Sequence, residues 1–126
     1  MGYQDKGNLD TTRFNQYSVT TNSWETASEI EADAGHAYEQ QTAFDASNNA
    51  LAVWKQADGE IFSIRAIRYE AEANSWGTSV KIESDSGQTD YPQLSIDGSG
   101  NAWAIWQQDD STLAGTQNSI MVNHFD

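Results

Sequence analysis

Along residues 102–108, AWAIWQQ, the side chains of Ala102, Ala104 and Trp106 fall on one face of an extended chain and those of Trp103 and Ile105 on the other. Both faces are apolar until Gln107, which predicts a strand in a sheet covered on both sides. Helical periodicity is absent; Val, Ile, Trp, Tyr and Thr sit instead in short runs separated by Gly, Asn, Asp and Ser. Four strand types follow, around Gln93–Asp97, Ala102–Gln108, Ser63–Tyr69 and Trp76–Ile82, with matching segments elsewhere. Between the first two lies DGSGN (97–101) or DASNN (45–49), each a tight turn suited to a hairpin. The small alanines on one face would let a neighbouring sheet come close.

The pattern repeats. At an offset of 52, Tyr17 falls on Tyr69, Asn22-Ser23-Trp24 on Asn74-Ser75-Trp76, and Ile30-Glu31 on Ile82-Glu83. Asp33 falls on Asp85, Gly35 on Gly87, Gln41 on Gln93 and Asp45 on Asp97, and Asn49, Ala52, Trp54, Gln56 and Asp58 also recur. Beyond that window GEIFSIRAIRY resumes as GTQNSIMVNHF at an offset of 56, so four residues are inserted within about 109–118. One segment type occurs three times, at 11–17, 63–69 and 119–125, and the rest twice. Residues 1–10 read as a tail, 11–126 as one all-β domain, with repeat 1 at about 17–68 and repeat 2 at about 69–126.

Sheets of four strands per repeat, each buried on both faces, predict two tandem propeller-like blades. The run YPQLSIDGSGNAWAIWQQDD…SIMVNHF, with NSWGTSVKI, resembles the blade repeats of sialidase-type bacterial β-propellers. Within it, SIDGSGNAW (95–103) is similar to their Asp-box turn, with one extra residue before Gly100; the first copy, AFDASNNAL (43–51), lacks its Ser, Gly and Trp. Propellers close with four to eight blades, so three arrangements satisfy a two-blade chain. Three or four chains form a head-to-tail ring, the chain belongs to a longer propeller, or its two sheets stack as a β-sandwich. Two blades need eight strands and nine are counted, which leaves one copy of the thrice-repeated strand without an assigned place.

Composition narrows the function. Nineteen acidic residues against six basic ones give a net charge of -13, a field that disfavours nucleic acid and anionic membrane surfaces. No stretch is long or apolar enough to span a membrane, so no membrane insertion is expected, and MGYQDKGNLD lacks the features of a signal peptide. The absence of Cys excludes disulfide frameworks and thiolate metal sites. Five Trp, five Tyr and four Phe carry most of the core burden in a chain only 37% hydrophobic.

Trp24/Trp76 and Trp54/Trp106 recur at equivalent positions and are read as core. Where the copies disagree, function has room: Trp103 (opposite Leu51), His36, Tyr38 and Tyr91 are the candidate ligand-binding residues, together with the inserted loop Asp109–Asn118. His36 to Tyr38 and Asp90-Tyr91 are read as loops leading into the first strand of each repeat. Glu31 and Asp33 in EADAG, and Glu83 and Asp85 in ESDSG, form alternating carboxylates before a glycine, the beginning of an oxygen-ligand calcium loop. Asp45 and Asp97 with Asn49 and Asn101 are a second such set, and no other cofactor is implied.

A sialidase resemblance would imply an arginine triad, a Tyr/Glu nucleophile pair and an acidic proton donor. The three arginines, Arg13, Arg65 and Arg68, sit on third-strand segments, Arg13 and Arg65 at one repeat position, so none maps to that motif. His36 and His124 have no serine nucleophile motif nearby. The expectation is a non-enzymatic binding or interaction module, carbohydrate its leading ligand class, self-assembling into a trimeric or tetrameric ring. The alternative is a purely structural assembly unit or part of a larger sialidase-like propeller.

Overall fold

The computed structural model describes residues 11–30, 35–59, 61–83, 87–109 and 118–125, and these form an all-β structure of antiparallel ladders. Four short strands come first: β1 (Arg13–Phe14), β2 (Tyr17–Ser18), β3 (Ser23–Trp24) and β4 (Ser28–Glu29). They pair as β1 with β4 and β2 with β3. A second sheet follows, built from β5 (Ala37–Phe44), β6 (Ala50–Asp58) and β7 (Ile61–Glu70), with β8 (Ser75–Trp76) and β9 (Val80–Lys81) both on the outer edge of β7. The third sheet has β10 (Thr89–Ile96), β11 (Ala102–Asp109) and β12 (Asn118–Phe125) in that order. Among the described residues no sheet closes into a barrel.

The repeat is reproduced as register. Phe44 pairs with Ala50 as Ile96 pairs with Ala102, and Ala50 with Tyr69 as Ala102 with Phe125. The two short ladders pair Arg13 with Glu29 and Tyr17 with Trp24, as the five-stranded sheet pairs Arg65 with Lys81 and Tyr69 with Trp76. The three groups are therefore the outer two strands of one unit, a full unit whose outer strand is split in two, and the inner three strands of another. The proposed N-terminal tail, residues 1–10, lies outside the described residues.

The hairpin turns explain part of the repeated sequence. Asp97 Oδ1 accepts the backbone N–H groups of Ser99 and Asn101, both at 2.9 Å, and Oδ2 accepts Asn101 Nδ2 at 3.0 Å. Asp45 does the same with Ser47 and Asn49. The left-handed position is filled by Asn48 (φ 68°) in one copy and Gly100 (φ 91°) in the other, two of the residue types that tolerate it. Tyr17 and Tyr69 likewise donate their hydroxyls to Asn22 and Asn74, which hold φ of 56° and 51° in the outer turns.

The second and third sheets pack face to face, as layers of a sandwich or neighbouring blades do. Val53, Ile64 and Ala66 meet Ala104 and Trp106, with Ile82, Leu94 and Met121 around them. On the other face of the second sheet Ala37, Ala52, Trp54 and Ile67 form a further cluster with Ile30 and Trp76. Trp54 and Trp106 are core residues as expected, but Trp24 is not: it is 66% exposed. It packs edge-on against Tyr17, at 5.4 Å between centroids, whereas Trp76 packs against both Tyr69 and Phe14.

Candidate functional site

Two surfaces have features beyond scaffolding. The first lies where β5 and β10 approach the ends of β6 and β7. Both strands contain a bulge at the same repeat position, between Tyr38 and Gln41 and between Asp90 and Gln93. The bulge residues Glu39 and Tyr91 hold positive φ values of 60° and 57°. Bulges re-aim side chains and interrupt the period-two pattern. This corrects the reading of Ala37–Tyr38 and Asp90–Tyr91 as loop: all four are within strands.

At this bulge Lys55 ion-pairs with Asp90, stands 3.7 Å from Glu39 Oε2, and lies 4.5 Å above the Phe62 ring centroid. Burial works against the lysine's charge, but the hydrogen bond and field of Asp90, with those of Glu39, outweigh it and raise its pKa above 10.5. Glu39 Oε1 also accepts the Tyr91 backbone N–H at 3.1 Å, tying the two sheets together. Phe62 packs on Tyr38, and Tyr38 stacks on His36 at 5.7 Å with the rings 3° from parallel. Tyr91 is 63% exposed beside these groups. Three of the four candidate ligand residues, His36, Tyr38 and Tyr91, thus gather around one charged cluster. Lys55, Glu39 and Phe62 carry no distinguishing mark in the sequence, because they meet only across strands.

The fourth candidate, Trp103, is elsewhere. It lies near the other end of β11, opposite His124 in the ladder, and stacks on that imidazole at 4.5 Å. Its neighbours on the far face of the third sheet, the side turned away from the second sheet, are Ile105, Ile120 and Val122. These correspond by repeat to Leu51, Val53, Ile64 and Ala66. Ile64 is 0% exposed and Ile120 75%; Ala66 is 8% exposed and Val122 61%. The equivalent face of the second sheet is covered by the third sheet, whereas on the far face of the third sheet Trp103, Ile105, Ile120 and Val122 are all exposed.

The carboxylates proposed for calcium fare differently. Glu31, Asp33 and Asp85 lie outside the described residues. Glu83 is described: its buried carboxylate stands 3.7 Å from Lys81 Nζ. The second set, Asp45 and Asp97, spends its oxygens on the turn N–H groups, and no cluster of three ionisable ligands occurs among the described residues. The glycines of the two motifs have a backbone role. A Cβ on Gly35 would lie 2.6 Å from the Ala57 carbonyl oxygen, and one on Gly87 1.9 Å from that of Asp109. The inserted loop between Asp109 and Asn118 is outside the described residues.

Arg68 pairs with Glu70 at 2.6 Å and reaches Asp45 at 4.0 Å, and Arg13 pairs with Glu29 at 3.8 Å. Compared with family models, curated proteins and solved structures, the chain matches none.

Proposed function

We propose that the chain is a non-enzymatic interaction module that self-associates head to tail, three or four copies forming a ring of six or eight blade-like sheets. The observation that supports this is the contrast between Ile64 and Ile120, one core and one solvent-exposed at the same repeat position. A contiguous apolar face of Trp103, Ile105, Ile120 and Val122 is the kind of surface that marks an interaction site. Head-to-tail contact that closes by rotation also removes open sheet edges. With a net charge of -13, copies repel one another at long range, so salt promotes the assembly. Light scattering coupled to size exclusion, at low and high salt, tests this. Three or four times the 13.9 kDa chain mass supports the ring, and a monomer under all conditions and concentrations overturns it.

Carbohydrate binding is a second reading, favoured by Tyr91. An exposed ring beside a lysine and two carboxylates offers an apolar face for a sugar's C–H groups and hydrogen-bonding partners for its hydroxyls. A glycan array decides it. Hits lost on Tyr91→Ala support a sugar site, and an array without hits leaves the module as an assembly unit alone.

A further inference from the structure

The third-strand segment occurs three times in the chain, but the outer strand it pairs with occurs twice. Two of the three copies have their outer strand: β7 holds β8 and β9, and β1–β2 hold β4 and β3. The third copy, β12, has β11 on one side and no partner on the other among the described residues. Its outer edge is therefore an unpaired strand edge, next to the uncovered apolar face.

The repeat says which strand fits that edge. In the second sheet Arg65 pairs with Lys81, Ala66 with Val80 and Tyr69 with Trp76. Transferred by repeat position, Met121 would pair with Glu29, Val122 with Ser28 and Phe125 with Trp24. Those partners exist, but within one chain they are already held by Arg13, Phe14 and Tyr17 in the same register. β1–β2 and β12 are thus two candidates for one place. Beside β1–β2, a cleft of about 820 Å³ is lined by Phe14, Tyr17, Thr42, Phe44 and Ala50. Thr42, Phe44 and Ala50 are the repeat counterparts of Leu94, Ile96 and Ala102; in the third sheet Leu94 and Ala102 face the second, and Ile96 pairs with Ala102 and shares its face. Thr42 and Phe44 are exposed while Ala50 and Trp54 on the same side are buried, so the side of the second sheet that a preceding unit's inner strands would cover is open around Thr42 and Phe44.

We infer that β1–β2, residues 13–18, act as a placeholder that β12 of a second copy displaces. The incoming third sheet then takes β3 and β4 as its outer strand and lays its Trp103–Ile105–Ile120–Val122 face against the open side of the second sheet. This rests on the self-association reading and adds its mechanism, strand replacement rather than docking of finished surfaces. In the single chain β1–β2 keep the outer strand from presenting a bare edge. In the assembly every sheet has one third strand and one outer strand, and β1–β2 are released.

A disulfide lock tests it. The chain has no cysteine, so Phe14→Cys with Ser28→Cys introduces the only two thiols, at residues directly paired across β1 and β4. Oxidised, this variant should run at monomer mass under conditions where the wild type assembles, and reduction should restore the assembly. In a second experiment, copies carrying Val122→Cys are mixed with copies carrying Ser28→Cys and oxidised. A covalent heterodimer that accumulates faster than from a Gly98→Cys control is expected. An oxidised lock that still assembles, or no heterodimer above the control, overturns strand replacement while leaving self-association intact. A wild type that stays monomeric overturns both. The mixing experiment decides the matter even where the lock perturbs folding.

Discussion

Trp54 Nε1 donates to Gln56 Oε1 at 2.7 Å, two residues along the same strand face, with both side chains buried. Gln56 Nε2 then donates to the Gly35 carbonyl at 3.1 Å. The second copy repeats the chain of bonds from Trp106 through Gln108 to Gly87, at 2.8 and 2.9 Å. A buried glutamine thus satisfies a buried indole and a loop carbonyl at once. Replacing Gln108 by Leu leaves the Trp106 N–H and the Gly87 carbonyl without partners, at a cost of about 1–3 kcal/mol each where no water reaches them. Urea unfolding of Gln56→Leu and Gln108→Leu should show comparable losses, since the two sites are alike.

The glycine at the end of that chain is under a stricter constraint. Gly35 holds φ at 133°, and at Gly87 an added Cβ would overlap the Asp109 carbonyl oxygen at 1.9 Å. The close approach arises because Ala57 N–H donates to the His36 carbonyl and Asp109 N–H to that of Gln88, both at 2.8 Å. Gly87→Ala should therefore destabilise by more than about 2 kcal/mol, a clash with backbone having no cheap relief. Gly98→Ala, with nothing within 4 Å, should stay within about 0.5 kcal/mol. Thermal melts of the two variants check the contrast.

These residues show what the sequence could and could not convey. Strand β11 and the division of its side chains between two faces were legible because alternation is local, but the cover expected on both faces is found on one: Ala102, Ala104 and Trp106 are buried, while Trp103 and Ile105 are exposed. The turns were legible because Asp, Asn and Gly carry their own hydrogen-bonding chemistry. Trp24 shows that recurrence does not imply burial. Its repeat partner Trp76 is covered by Phe14 from the preceding unit, whereas among the described residues no unit precedes the one that carries Trp24. The bulges at Glu39 and Tyr91 hid because one extra residue reverses the alternation and makes a strand read as loop. The Lys55 cluster needs cross-strand and cross-sheet neighbours, which one strand's pattern does not contain.

Acid should weaken the hairpin turns. Hydrogen bonds from the Asn101 side chain and backbone, then from the Ser99 and Gly100 backbone, hold the Asp97 carboxyl below its ordinary 3.8 despite an opposing contribution from burial. At Asp45 burial pulls upward, but Asn49, Ser47 and Arg68 together still lower it. A carboxylate whose folded pKa is depressed stabilises fully above the unfolded value, and that stability is lost as pH falls through the folded value. Asp97→Asn should melt below the wild type at neutral pH, and the gap should close as pH falls below 3.8 and through the lowered folded value.

Lys55 carries the opposite sign. Its folded pKa is raised above 10.5, so its stabilisation is complete below that value and is lost as pH rises through the folded one. Lys55→Gln should therefore melt lower at neutral pH, with two carboxylates left facing each other, and approach the wild type only in strong alkali. Melting curves at increasing pH check this. A glycan site at Tyr91 would lose binding in the same variant, so array and melt report on one cluster independently.

The repeat finally permits a paired comparison of one residue type in two settings. Ile64 and Ile120 share a repeat position, a ladder register and a side chain, and differ in what covers them. Truncating Ile64 to Ala removes packing from a filled core and should cost about 2–5 kcal/mol. Truncating Ile120 removes surface that already faces water in the single chain and should cost the monomer at most about 0.5 kcal/mol. If copies assemble through that face, Ile120 becomes the counterpart of Ile64 and its truncation weakens the assembly. The expected result is therefore a near-normal monomer melt for Ile120→Ala with a light-scattering mass shifted from ring to monomer. A ring mass unchanged by Ile120→Asp, with a normal melt, would move the interface to another surface. Burial of the charge against a second copy would cost several kcal/mol, which no such interface tolerates.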